Sequence, residues 1–217
     1  MKRTQLVLLV LMATVCLASL PAAAGTIFDD FGPGNSYNCC TGWTVSGPTS
    51  PPGQFISANE FTAGSSGMVN EIDLAIGLVV GDGAGTVALY TVNGGVPGTL
   101  LGSWNYVAHQ PFGNCCAIET INISGGPTLS AGTSYFMVVS ADSPTWNAWN
   151  WNSTGAVGED LFSNDNGQSW HDNGIQPTGA FRILSGGGGN VPEPASLFLL
   201  GSGLLGAVGT LRRKLGR

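Results

Sequence analysis

No segment between residues 25 and 184 shows a sustained helical stripe, and this limits the possible folds more than any other feature of the sequence. Apolar runs there are short. Clusters of Gly, Pro, Asn and Ser cut each one off, which is how strands and turns are written. Eight strands are predicted: 54–61, 69–76, 85–90, 100–107, 117–123, 134–140, 145–151 and 180–184. From Glu71 to Ile76 polar and apolar residues alternate, the period-2 mark of a half-buried strand. Val87, Leu89, Phe136, Val138 and Ile183 are expected to face one core. The pattern predicts an all-β, two-sheet β-sandwich of jelly-roll type. An N-terminal signal helix and a C-terminal transmembrane helix are expected to flank it.

The two ends of the chain differ from this body. Lys2 and Arg3 precede an apolar run from Leu6 to Leu20, and small residues Ala22 and Ala24 follow. A charged start, an apolar stretch and an A-x-A site make a secretory signal peptide over 1–24, with cleavage expected after Ala24. The β-sandwich domain then occupies 25–184, and Ser185–Asn190 forms a glycine-rich linker. Residues 191–217 are a separate module. Val191, Pro192, Glu193 and Pro194 impose an extended step, because proline is incompatible with a helix interior. The uncharged run 195–211 follows, about 25 Å long as a helix. That is at the short limit for a bilayer core. Arg212, Arg213 and Lys214 come next and would hold the tail on the cytoplasmic side.

Charge sharpens the division. Of 7 Lys and Arg residues, only Arg182 lies in the body, together with 12 of the 13 acids, so the exported domain carries a net charge near −11. Nucleic acid and anionic lipid surfaces need clustered cations, and neither is an expected partner. The body holds two adjacent cysteine pairs, Cys39-Cys40 and Cys115-Cys116. An even count in an exported protein reads as disulfides, and four cysteines allow three connectivities. Bridges between the pairs are favoured over vicinal ones, which need strained geometry. Adjacent cysteines fit zinc spacing poorly, so no metal site is expected.

Candidate chemistry in the body is sparse. His109 and His171 lack a neighbouring nucleophile signature. Asp29-Asp30 and Glu159-Asp160 are paired acids, but they read as strand-edge and turn residues. No catalytic residue and no cofactor are therefore expected. A structural calcium would draw on Asp165 and Asp82, without a full ligand set in view. The stretch TWNAWNWN is the best candidate for binding: Trp149 and Trp151, with Asn150 between them, would offer flat rings and amides to a sugar. The competing expectation places these tryptophans in the core. Ser163, Asp165, Gly167 and Trp170 match S-x-D-x-G-x-x-W, which resembles the Asp-box of sialidases, a structural turn.

Two further resemblances bear on function. The order Val191-Pro192-Glu193-Pro194, apolar run, Arg212-Arg213-Lys214 resembles the PEP-CTERM sorting signal. That resemblance implies export by a bacterium that makes extracellular polysaccharide. It also implies processing by an exosortase, an integral membrane cysteine transpeptidase. The expected route is anchorage in the inner membrane during transit, then the cell surface or extracellular matrix. The body resembles the choice-of-anchor R surface domain, through Phe31-Gly32-Pro33-Gly34, Thr41-Gly42-Trp43-Thr44, Gly94-Gly95-Val96-Pro97-Gly98, Leu129-Ser130-Ala131-Gly132-Thr133-Ser134-Tyr135, Ala148-Trp149-Asn150 and Gly179-Ala180-Phe181-Arg182. This implies a non-enzymatic surface protein, associated with exopolysaccharide. The alternatives are a carbohydrate-binding module on the Trp/Asn platform and a secreted glycan-active hydrolase. The hydrolase would need two carboxyls about 5–10 Å apart across a sugar cleft.

Overall fold

The computed structural model describes residues 25–186. The expected signal peptide, most of the linker and the sorting module lie outside them. The described chain is all-β, with one short 3-10 turn at Pro33–Asn35. Its strands are β1 (Gly25–Asp29), β2 (Tyr37–Ser46), β3 (Ile56–Thr62), β4 (Gly67–Leu74), β5 (Ile76–Val80), β6 (Ala84–Asn93), β7 (Val96–Val107), β8 (Glu119–Asn122), β9 (Thr128–Leu129), β10 (Ser134–Ala141), β11 (Trp146–Asn152), β12 (Val157–Ser163), β13 (His171–Pro177) and β14 (Phe181–Ser185).

The sequence pointed to two sheets; the ladders define three. One sheet runs β1-β14-β4-β8, with β9 also on β4; a second runs β13-β12-β3-β10-β6-β7; a third runs β2-β11-β5. The third sheet includes β2, a strand that its polar and glycine content had hidden. A single cluster of buried side chains draws on all three sheets, with Ile72, Leu74, Leu89, Met137, Trp149 and Phe181 among its members.

The run Tyr135 to Val139 shows how burial overrides simple alternation. β10 is a central strand, paired with β3 on one side and β6 on the other. Met137 lies opposite Leu89 and Val139 opposite Val87, and these face the main core. Phe136 and Val138 point the other way, into a second cluster with Ile56, Ala58 and Leu161. The expectation of a single shared core for Val87, Leu89, Phe136, Val138 and Ile183 is thereby corrected. Both faces of β10 are covered, so the strand reads as a continuous apolar run.

Turn chemistry is legible at the β6–β7 hairpin. Its two loop residues, Gly94 and Gly95, have φ of 62° and 82°. Two successive positive φ values match the right-handed twist of the flanking strands, and glycine adopts them without steric cost.

Asp73 departs from the alternating pattern in a different way. It lies on the outer face of β4 yet is only 1% exposed. Arg182 stands directly opposite on β14 and donates from Nε to Asp73 Oδ2 at 3.0 Å. Thr120, opposite on β8, donates to Oδ1 at 2.6 Å. The turn after β1 covers the pair, with Asn35 Oδ1 accepting from Arg182 Nη1 at 3.1 Å and the Phe31 ring 5.7 Å from the guanidinium.

Candidate functional site

The tryptophan stretch occupies β11, in the middle of the three-stranded sheet. Strand alternation sends Trp149 inward, opposite Trp43 on β2 and Ile76 on β5. Trp149 is 0% exposed. Its Nε1 donates to the Ala180 carbonyl at 3.2 Å, and its ring lies 5.8 Å from that of Phe181. Gly179 presses backbone onto the indole, since a Cβ there would fall 2.3 Å from the ring. Asn150 is buried as well, and its amide donates to the Asn38 carbonyl at 3.0 Å. Trp151 is half-buried and packs on Trp43, with ring centroids 5.2 Å apart. Trp149 and Asn150 therefore hold the sheet to the core. They do not form an open platform with Trp151, which corrects the sugar-stacking expectation for these two residues.

The turn between β12 and β13 is organised by one carboxylate. Asp165 Oδ1 accepts from Ser163 Oγ at 2.8 Å and from the Ser169 amide at 2.9 Å. Its Oδ2 accepts from Ser169 Oγ at 2.6 Å. These bonds, those from Ser169 foremost, hold the carboxyl down to about 2. Asn166 and Gly167 both adopt positive φ, and Trp170 packs against the second cluster. Asp82 is used in the same way in the β5–β6 turn, accepting from the Ala84 amide and from Thr145 Oγ1. Asp165 ties its own turn and Asp82 joins its turn to Thr145 just before β11, with β3 and β10 lying between β12 and β6. The two do not combine into a calcium ligand set.

The acid pairs diverge because each sits on a strand or at its end. One member of each pair turns outward and the other inward. Asp30, just past the end of edge strand β1, is 3% exposed, and Asp160 is 1% exposed inside β12, which corrects the expectation that the 159–160 pair sits at a strand edge or turn. Asp30 Oδ1 accepts from the Phe181 amide at 2.7 Å and Oδ2 from Thr178 Oγ1 at 2.6 Å. Asp160 accepts from Asn59 Nδ2 and Asn173 Nδ2, each at 2.7 Å. Asn59 in turn accepts from the Gly179 amide at 2.8 Å. The crossover at 178–181 is thus gripped from two sides. Burial pushes Asp30 up to about 7 and Asp160 up to about 6.

These shifts carry a sign. An acid raised above its ordinary 3.8 binds more protons folded than unfolded, so its ionisation weakens the fold as pH rises. Thermal melts should show stability falling between about pH 4 and pH 7 from these two groups. The Asp30→Asn variant should show a flatter slope. Asp165, whose value is lowered, acts in the opposite sense and loses its contribution below about pH 4. A melting temperature that climbs steadily from pH 4 to pH 7 would contradict this assignment.

Neither histidine sits with a nucleophile. His109 Nδ1 lies 3.0 Å from Glu119 Oε2, and the same glutamate accepts from the His109 amide at 2.8 Å. His171 stacks on Phe162, with centroids 4.9 Å apart. The cysteines form the one cluster of potential metal-ligating side chains among the described residues, Cys39, Cys115 and Cys116. Cys39 and Cys115 are joined in a disulfide, with Cα atoms 5.4 Å apart. Cys40 and Cys116 are free and exposed, so one bridge joins the two pairs, which corrects the expectation that all four cysteines are disulfide-bonded.

Functional information beyond this geometry comes from the C-terminus. A family model described as the PEP-CTERM protein-sorting motif matches residues 190–214. The chain carries a PEP-CTERM sorting motif. The match spans Val191, Pro192, Glu193 and Pro194 and reaches past Arg212 and Arg213. It supports an exosortase-substrate sorting signal, and with it an exported protein anchored in the membrane during transit. Comparison with curated proteins finds no match. The PEP-CTERM residues and the signal-cleavage residues Ala22 and Ala24 lie outside the described residues.

Proposed function

We propose that the chain is an exported, non-enzymatic surface or extracellular-matrix protein. An exosortase recognises its PEP-CTERM tail, cleaves it and releases the β domain to an exopolysaccharide-rich surface. The carrying observation is the motif match at 190–214. The signal-like start supports export, and the acidic domain suits solubility outside the cell. Its buried carboxyls support a structural role, because their oxygens are engaged by the chain's own amides and hydroxyls. The choice-of-anchor R resemblance of the body belongs to the same reading. The burial of Trp149 and Asn150 weakens the carbohydrate-module alternative, which rested on an exposed platform.

Mass spectrometry of the protein recovered from its producing cell tests the sorting step. The mature C-terminus should fall near Val191–Pro194. Deleting the exosortase should leave the full tail in the membrane fraction. An intact Arg217 on the surface-released form would overturn the processing step.

A further inference from the structure

The sulfur cluster has one member more than a disulfide needs. Cys39 lies on β2, and Cys115 and Cys116 lie in the segment between β7 and β8. Cys116 Sγ is 3.7 Å from Cys39 Sγ, the same atom that is bonded to Cys115. All three sulfurs lie within 4.8 Å of one another. Cys40 takes no part: neighbouring strand residues point to opposite faces, and its thiol is directed at the Gly113 carbonyl, 3.9 Å away. The segment is tied down beside the cluster. The Gly113 amide donates to the Cys39 carbonyl at 3.0 Å, and Tyr37 Oη donates to the Ala117 carbonyl at 2.7 Å. Either sulfur of the adjacent pair is therefore held within reach of Cys39.

We infer that Cys39, Cys115 and Cys116 form a thiol–disulfide exchange site, in which one bridge alternates between two partners. Cys116 loses its proton to solvent, and the thiolate attacks Cys39 Sγ. The Cys39–Cys116 bond forms as the Cys39–Cys115 bond breaks. The electron pair leaves on Cys115, which takes up a proton. No net oxidation occurs and no co-reactant is consumed. Both isomers keep β2 tied to the same segment, so the cross-link survives while the free thiol changes place.

Label mapping on the full-length exported protein tests this. After incubation at about pH 8, where thiolate is available, the protein is acid-quenched and alkylated. Peptic digestion at low pH and electron-transfer fragmentation then locate the label. Label is expected on both Cys115 and Cys116 within one preparation, with Cys40 labelled throughout. The Cys116→Ser variant should hold a single Cys39–Cys115 bridge, and Cys115→Ser should form Cys39–Cys116. Label confined to Cys116 after prolonged incubation would overturn the exchange, and so would the absence of label from both residues. The wild-type distribution decides the question even where a serine variant folds poorly.

Discussion

Arg182→Ala is expected to destabilise the mature domain by roughly 3–5 kcal/mol. The loss comes less from the pair's own attraction than from what remains behind. Asp73 is 1% exposed, and its carboxylate would stay buried without a counter-charge. Arg182 is the only lysine or arginine between residues 25 and 186, so no permanent cation in this domain can replace it. Its side chain is about one-fifth exposed, and the pair is thus screened far less than a surface bridge. Urea unfolding with tryptophan fluorescence measures the change. The double variant Asp73→Asn/Arg182→Met should recover much of the loss, because it removes both charges together. A single-variant loss below about 1 kcal/mol would show the pair behaving as an ordinary surface bridge.

Trp149→Ala should cost a similar amount, about 3–5 kcal/mol. The indole is fully buried, touches Phe181 and is capped by the Gly179 backbone. That backbone cannot move freely into the cavity, because Asn59 holds the Gly179 amide. The buried acceptor at Ala180 would also lose its indole donor. Trp149→Phe should lose less, since an aromatic body remains. Trp151→Ala should cost less again, because that residue is half-buried. A Trp149→Ala variant as stable as the parent would sink the core assignment. Any loss of glycan binding in Trp149→Ala must be judged beside this stability change, and Trp151→Ala is the cleaner probe of a surface role.

The strands that could be read from the sequence are those whose pattern is local. All eight predicted segments have counterparts, because their apolar residues alternate or run together between glycine-rich turns. Six strands escaped, and three of them show a physical reason. β2 carries cysteines, threonines and a glycine, and Gly42 is needed where the Trp149 carbonyl approaches closely. β12 holds Glu159 and Asp160, a sequence that looks like a turn until Asp160 finds Asn59 and Asn173. β13 is an edge strand with little burial, so no hydrophobic pattern marks it. Among the candidate sites, the Asp-box turn lies within eight consecutive residues and could be read directly. The fate of the tryptophans depended on Gly179, about thirty residues downstream, and could not.

By itself the sequence determined the all-β class, the β6–β7 turn, the uneven placement of charge and the sorting motif. Each of these rests on contiguous residues, where local sterics or a short peptide pattern decides the outcome. Only the tertiary structure decided which face of β10 meets which core and which acids are buried. It also decided that Cys39 meets Cys115 and that Trp149 is a core residue. Those outcomes depend on partners far apart in the chain: 76 residues separate the bonded cysteines and 109 separate Asp73 from Arg182. Burial and pairing across such separations follow from strand register, which no local pattern carries.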